Sequence, residues 1–141
     1  MELDDPYDLR RFAEAQDAVY PQVCAELRSG RKTSHWIWFI FPQVRGLGAS
    51  ETAQYYAISS REEAKAYLEH PMLGSRLREC TALVGGIEGK SIEQILGHPD
   101  NLKFRSSMTL FAHATEENRI FLEALKKYFG GKFDPQTLAR L

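Results

Sequence analysis

The sequence predicts an all-α protein, folded as a single compact domain of about eight short helices. Three observations lead to this fold class. Apolar residues recur at spacings of three and four along most of the chain. Residues that favour helix starts and stops separate these segments. No linker, low-complexity segment or charge run divides the 141 residues, a length that suits one domain, 1–141.

The first helical region covers residues 9–30. Its apolar positions make one face, and Asp8 is placed to cap the start by accepting a bond from an unpaired amide. Pro21 cannot donate to the preceding turn, which predicts a break within residues 16–20. Gly30 then ends the helix.

Residues 36–41 form a dense apolar block with both tryptophans of the chain. Such a run, closed by Pro42, is typical of a buried strand. A strand needs a partner, however, and no second segment alternates convincingly. We therefore favour a short buried helix or turn, capped by Ser34. Trp36 and Trp38 are expected to anchor the core, although either of them could instead line a pocket as a stacking platform.

From residue 50 onward the helix signals are frequent. Two capping boxes, Ser60 with Glu63 and Ser91 with Gln94, mark helix starts at which side chain and backbone satisfy each other. Ser50, Pro71, Pro99, Thr115 and Asp134 mark the others. The helices predicted from these signals cover residues 51–57, 61–70, 71–85, 92–97, 99–111, 116–129 and 135–140.

The overall charge gives no support to a nucleic acid or membrane partner. The chain has 18 basic and 19 acidic residues, whereas such partners usually require a basic excess on one face. Its longest apolar run, residues 36–41, is far short of the roughly 20 residues that span a bilayer. The acidic N-terminus is unlike a signal peptide, so we expect a cytoplasmic protein. The oligomeric state is left open.

Cys24 and Cys80 both stand at apolar positions of predicted helices, which favours buried free thiols over a disulfide. There is no Cys-x-x-Cys pair, and no His, Asp and Glu set has the spacing of metal ligands. The sequence therefore predicts no metal and no cofactor.

Two blocks carry a family resemblance: Ser-His-Trp-Ile-Trp-Phe-Ile-Phe-Pro-Gln at 34–43 and Phe-Arg-Ser-Ser-Met-Thr-Leu-Phe at 104–111. With them the chain resembles an uncharacterised bacterial family of small, predominantly α-helical proteins, and the likeness runs from Asp8 to the C-terminus. The family has no established activity, so the resemblance implies the fold class and little else. Its members are sometimes labelled calpastatin-like, but calpastatin acts through disordered repeats, and this composition is that of a folded protein.

A second likeness involves residues 50–56, Ser-Glu-Thr-Ala-Gln-Tyr-Tyr. This stretch is similar to a Ser-x-Glu helix start, followed by tyrosines, in glycosidases that act on ADP-ribose or riboflavin-pathway compounds. Here Glu51 directly follows Ser50, which departs from that spacing. The likeness implies an N-glycosidase-like hydrolase as an alternative function.

The best candidate site is the loop at residues 43–50. Gly46 and Gly48 would let backbone amides approach a ligand, and the helix that follows would present unpaired amides to an anion. Arg45 could hold a phosphate or carboxylate by two hydrogen bonds. A plain connecting loop accounts for the same residues, because Gly-x-Gly without a preceding strand is not a dinucleotide motif.

These features predict a protein that binds a small anionic or nucleotide-like ligand at the loop 43–50. His35 and Glu51 are the candidate catalytic residues, since an imidazole exchanges protons near neutral pH and Glu51 is the carboxylate closest to the loop. The candidate ligand-binding residues are Trp38, Gln43, Arg45, Gly46, Gly48 and Arg105. The remaining alternative is a non-catalytic protein–protein interaction module whose aromatic block partly faces a partner. Whether the protein is an enzyme is left open.

Overall fold

The computed structural model describes residues 5–141, and in them ten helices pack as one all-α domain. The predicted fold class is confirmed, with two more helices than expected. The helices are α1 (Arg10–Asp17), α2 (Tyr20–Arg28), α3 (Ile37–Ile40), α4 (Glu51–Tyr55), α5 (Arg61–Glu69), α6 (Leu73–Gly85), α7 (Ile92–Leu96), α8 (Asp100–Ala112), α9 (Arg119–Phe129) and α10 (Pro135–Leu138). Within residues 5–141, no helix combines the length and apolar character needed to cross a membrane.

The break in the first helical region lies where Pro21 predicted it. α1 ends at Asp17, and α2 restarts at Tyr20 with Pro21 in its first turn. The predicted cap at Asp8 is wrong, because Asp8 has a φ of 52° and so lies in a left-handed turn instead of the extended backbone of an N-cap. The Asp5 carboxylate takes that role and accepts from the amide of Leu9 at 2.8 Å.

The aromatic block forms a short buried helix, as predicted. α3 packs against α1, α6 and α8, and the edge of the Phe41 ring meets the Phe104 ring at a centroid distance of 4.8 Å. Ser34 does not cap it, since no side chain caps the start of α3 and the Ser34 hydroxyl donates to Glu26 instead. The buried Glu26 carboxylate accepts hydrogen bonds from this segment, and the Ser34 hydroxyl is one of the donors. That hydroxyl is therefore not available to cap α3.

The two capping boxes differ in the structure. Ser91 and Gln94 form both hydrogen bonds of the box at the start of α7. At α5 only half of it forms: the Ser60 hydroxyl accepts from the amide of Glu63 at 3.1 Å, but the Glu63 carboxylate accepts from Ser59 instead of Ser60. The Glu63 side chain faces inward, where it meets a cation on α1.

Two predicted starts are displaced along the chain. α6 begins at Leu73, two residues after Pro71, because the Nδ1 of His70 accepts from the amide of Leu73 at 3.2 Å and fixes a turn first. α9 begins at Arg119, since the Thr115 hydroxyl closes a local turn instead of capping the helix.

α8 lies at the centre of the domain and packs against α3, α5, α7, α9 and α10. Nearly all of its second half, from Ser106 to Ala112, is buried. Because α8 is enclosed on so many sides, its side chains determine where the shorter helices sit. The largest fully buried side chains within residues 5–141 include two from α8 itself and are Phe12, Trp36, Phe41, Tyr67, Phe104, Phe111 and Phe121.

A buried ion pair joins α1 to α5. The Arg11 guanidinium lies 2.8 Å from the Glu63 carboxylate, and the two side chains are 8% and 3% exposed. The same guanidinium donates to the carbonyls of Tyr7, Tyr55 and Ala57 at 2.6 to 2.9 Å. Arg11 therefore sets the position of residues 55–57, directly before the contact with the candidate loop.

Candidate functional site

The loop at residues 43–50 is held by a single parallel bridge to Ile58. The amide of Ile58 donates to the carbonyl of Gln43, and the amide of Arg45 donates to the carbonyl of Ile58, both at 2.8 Å. Val44, between them, is buried, whereas the Arg45 side chain is exposed. The bridge uses the Arg45 amide, so the guanidinium is the hydrogen-bond donor that Arg45 can offer to a ligand.

Contacts within the chain itself explain why both loop positions are glycine. Gly46 has a φ of +99°, and a Cβ there would lie 2.6 Å from Nε of Arg140. At Gly48 a Cβ would lie 2.5 Å from the Cβ of Ala53 on α4. Gly46 thus permits a turn and the close approach of Arg140, and Gly48 permits the close approach of α4. Their use for the approach of a ligand stays a prediction.

Arg140 is a second cation at the loop that sequence reasoning missed. Its Nη2 donates to the carbonyl of Gly46 at 3.3 Å, and its Nη1 donates to the carbonyl of Gln136 at 3.0 Å. Arg140 and Gly46 are 94 residues apart in sequence. No local pattern around Arg140 signals this contact, because it depends on where α10 packs.

α4 presents a carboxylate and an aromatic ring on one face beside the loop. Ser50 caps α4 as predicted and accepts from the amide of Ala53 at 3.1 Å. Glu51 and Tyr55 are four residues apart and therefore neighbours on the helix surface. Both are exposed, Tyr55 by 57%, and within residues 5–141 no hydrogen bond or ion pair engages the Glu51 carboxylate. α4 has only five residues, so its amides alone make a weak anion site.

The two tryptophans have different environments. Trp36 is 2% exposed, and its Nε1 donates to the Glu26 carboxylate at 2.9 Å, which makes it the core anchor. Trp38 is partly exposed, and the Nζ of Lys103 lies 5.2 Å from its ring centroid. The exposed His35 has no hydrogen bond to Glu51 within the described chain. Trp38 is thus the tryptophan available for stacking.

Arg105 ties the segment before α10 to α8. Its Nε and Nη2 donate to the carbonyls of Lys132 and Phe133 at 3.1 and 2.8 Å. These bonds occupy two of the three guanidinium nitrogens, so Arg105 contributes to the candidate site mainly by positioning its neighbours.

Asp134 adds a second link to α8, at the start of α10. Its carboxylate accepts from the hydroxyls of Ser106 and Thr137 at 2.9 and 2.5 Å. Burial alone would raise the pKa of Asp134, but the hydrogen bonds from Thr137 and Ser106 outweigh it and lower the pKa below its usual range. α10 is thereby fixed on α8 with Arg140 turned towards Gly46.

Three separate contacts link these elements: Lys103 of α8 lies at Trp38, the buried Ser106 of α8 donates to Asp134 at the start of α10, and Arg140 donates to Gly46 in the loop. We call the three cations Arg45, Lys103 and Arg140 the cationic rim. Lys103 is partly balanced by Asp100, with Nζ and Oδ1 3.6 Å apart. The structure therefore places Arg140 at the loop and Lys103 at Trp38, whereas a shared site of Trp38 and the loop stays a prediction.

Three surface depressions are lined by residues other than those of the cationic rim. The first, of about 640 Å³, lies between α5 and the connection from α8 to α9 and is lined by Lys65, Glu69, Arg78 and His113, among others. Two more, of about 490 and 520 Å³, lie on either side of Lys90. Across residues 5–141, no group of three or more His, Cys, Asp or Glu side chains is arranged to hold a metal ion.

The fold defines the class first: a small all-α domain, as expected from the uncharacterised family that its two sequence blocks resemble. A family model described as a protein of unknown function (DUF1810) matches residues 6–141, and the chain belongs to that family. It is similar to the conserved hypothetical protein Rv1873 from Mycobacterium tuberculosis, whose crystal structure is 58% identical over 97% of this chain and 98% of that chain, with a TM-score of 0.96. No curated protein matches. The predicted family membership is confirmed.

Proposed function

We propose that the surface bounded by the loop 43–50, Trp38 and the cationic rim binds a small anionic ligand that carries a planar ring, such as a nucleotide. The observation that carries this proposal is the Arg140 guanidinium held at Gly46, beside the exposed Arg45. The exposed Arg45 can donate two parallel hydrogen bonds to a phosphate or a carboxylate. Arg140, whose Nη1 and Nη2 already donate to carbonyls, adds positive charge at the same loop.

The ring of the ligand would stack on Trp38 or Tyr55. Trp38 keeps part of its indole accessible, with Lys103 at its side, and Tyr55 is exposed on α4. Stacking on an aromatic side chain contributes about 1–3 kcal/mol per base in proteins that bind single-stranded nucleic acids. The burial of Trp36 argues for a ligand over a protein partner, because it leaves the aromatic block little surface with which to contact a partner.

A hydrolase is the second candidate, and Glu51 favours it, because its carboxylate is exposed and has no partner within residues 5–141. A carboxylate beside a bound sugar can act as the general base or nucleophile in glycosidic bond cleavage. We further infer that the protein is cytoplasmic and has no nucleic acid partner. The two buried free thiols and the formal net charge of −1 support this inference.

A thermal-shift screen against AMP, ribose 5-phosphate and ADP-ribose tests the proposal. A ligand at 100 times its dissociation constant adds about 2.7 kcal/mol to the free energy of unfolding. For a domain of this size that corresponds to a rise in Tm of roughly 10 °C. We expect Arg45→Ala and Arg140→Ala to abolish the rise.

Arg119→Ala is the matched control, because Arg119 is exposed on α9, outside the rim. It should leave the rise unchanged. Binding that survives in both Arg45→Ala and Arg140→Ala would refute the placement of the site. Product analysis by mass spectrometry with the wild type and Glu51→Gln tests the hydrolase: cleavage that Glu51→Gln does not slow would exclude a catalytic role for that carboxylate.

A further inference from the structure

The two cysteines of the chain lie close together on different helices. Cys24 is on α2 and Cys80 on α6, both are buried and free, and these helices pack against each other. Tyr20, one turn before Cys24, lies with its Oη 3.8 Å from the Sγ of Cys80. Burial first, and the neighbouring Cys24 side chain after it, raise the pKa of Cys80. The fold thus gathers every thiol in the protein beside one phenol.

The phenol connects the thiols to a carboxylate at the surface. The Cys80 thiol donates to Tyr20, and the Tyr20 hydroxyl donates in turn to the Glu79 carboxylate through a short hydrogen bond. The Arg76 guanidinium lies 4.6 Å from the Tyr20 ring centroid and pairs with Asp17 at 3.0 Å. A path for a proton therefore leads from a buried thiol to an exposed carboxylate.

The two thiols differ in their access to solvent. Cys24 keeps 5% of its surface exposed, whereas Cys80 has none. Burial raises the pKa of the Cys80 thiol to about 12, so Cys80 needs a proton acceptor in order to react as a thiolate. Cys24 is therefore the thiol that meets an oxidant first, and Cys80 is the one that resolves the product.

We propose that Cys24 and Cys80 form a redox-active pair, which a peroxide oxidises to an intrachain disulfide through a proton relay formed by Tyr20 and Glu79. In the first step the Cys24 sulfur attacks hydrogen peroxide. An S–O bond forms, the O–O bond breaks, and the departing hydroxide takes the thiol proton to leave as water. Cys24 is now a sulfenic acid, oxidised by two electrons, and the peroxide is reduced.

In the second step the Cys80 sulfur attacks the sulfenic sulfur. The S–S bond forms as the S–O bond breaks, while the Cys80 proton moves to Tyr20 and the Tyr20 proton moves to Glu79. That proton neutralises the departing hydroxide as a second water. The balance is two thiols and one hydrogen peroxide giving one disulfide and two waters. A thiol reductant reverses the reaction by exchange.

The test compares reduced full-length protein before and after treatment with one equivalent of hydrogen peroxide. Denatured samples are alkylated, and their intact mass is measured. We expect the treated protein to lose two hydrogens and both alkylation sites, to stay monomeric on a non-reducing gel, and to yield a linked peptide pair containing Cys24 and Cys80. Cys80→Ser should stop at a sulfenic acid that dimedone traps on Cys24. Two thiols that still alkylate after treatment, or a disulfide between two molecules, would overturn the proposal.

The relay is tested by the rates of the two steps. In Tyr20→Phe we expect sulfenic acid formation at the wild-type rate but disulfide formation slowed by about tenfold or more, as for the loss of a general base. Glu79→Gln should slow the same step. Tyr128→Phe is the control, because Tyr128 is also partly buried but donates to the carbonyl of Val84 instead. A Tyr20→Phe variant that resolves its sulfenic acid at the wild-type rate would refute the relay.

Discussion

Replacement of Glu26 by glutamine tests whether a buried carboxylate organises the segment before α3. Glu26 is 4% exposed and accepts five hydrogen bonds. Its Oε1 accepts from the amides of Thr33 and Ser34 at 2.8 and 3.1 Å and from Nε1 of Trp36 at 2.9 Å. No cation forms an ion pair with it within residues 5–141, so hydrogen bonds alone stabilise its charge there.

The magnitude follows from the loss of that charge. Glutamine keeps one oxygen for the three donors at Oε1, but each bond loses roughly 1 kcal/mol when its acceptor becomes neutral. The amide nitrogen then faces the side chains of Gln22 and Ser34, and the Ser34 hydroxyl can turn to accept from it. We therefore expect Glu26→Gln to lower the free energy of unfolding by about 3 kcal/mol at pH 7, or roughly 10 °C in Tm.

The effect depends on pH in a defined direction. Burial alone would raise the pKa of Glu26, but the hydrogen bonds from Ser34, Thr33, Gln22 and Trp36 outweigh it and hold the pKa well below the ordinary 4.5. Below pH 4.5 the unfolded chain therefore binds a proton that the folded protein does not. The carboxylate's contribution to stability is complete above pH 4.5 and falls by at most about 1.4 kcal/mol per pH unit below it.

Urea unfolding of the wild type and Glu26→Gln between pH 7 and pH 2.5 measures this difference. We expect a gap of about 3 kcal/mol at pH 7 that nearly closes by pH 2.5, since two pH units remove about 2.7 kcal/mol. Glu123→Gln is the control, because Glu123 is exposed on α9, and its curve should run parallel to the wild type. A gap that stays constant across this pH range would refute the reasoning.

Two further substitutions test the packing. Arg11→Met should cost about 3–5 kcal/mol, because it leaves the Glu63 carboxylate buried without its cation, and the added change Glu63→Leu should restore much of the loss in a double-mutant cycle. Gly74→Ala should cost about 1–3 kcal/mol in urea unfolding, because its Cβ would lie well within 3.0 Å of the Leu68 carbonyl. Gly85→Ala, in the same helix, meets no atom within 4 Å and should be neutral or stabilising by up to roughly 1 kcal/mol. Equal losses at the two glycines would contradict the steric argument.

Most of the fold was predictable because its signals are local. The break at Pro21 and the caps at Ser50, Ser91 and Asp134 each depend on residues within one helical turn, and the structure confirms them. The errors have two origins. At the start of α1 the backbone geometry excludes Asp8 as the cap, and the Asp5 carboxylate takes that role. The Ser34 and Glu63 side chains are instead engaged by Glu26 and Arg11, which lie on other helices.

The candidate site was less predictable because its contacts are distant in sequence. Nothing around Arg140 indicates a contact with Gly46, which is 94 residues away in sequence. The proximity of Cys24 to Cys80 likewise depends on how α2 packs against α6. The glycine spacing is a local pattern with more than one explanation. Gly46 and Gly48 suggested a ligand loop, although close packing within the chain also accounts for both.

The contrast between the two tryptophans gives the protein a built-in pair of fluorescent reporters. Trp36 is enclosed and bonded to Glu26, so its emission should stay blue-shifted until the whole domain unfolds. Trp38 is partly exposed beside Lys103, where its emission responds to events at the surface. With Trp36→Phe, the remaining indole of Trp38 would report ligand binding at the cationic rim without an attached dye. With Trp38→Phe, the remaining indole of Trp36 would report only global unfolding.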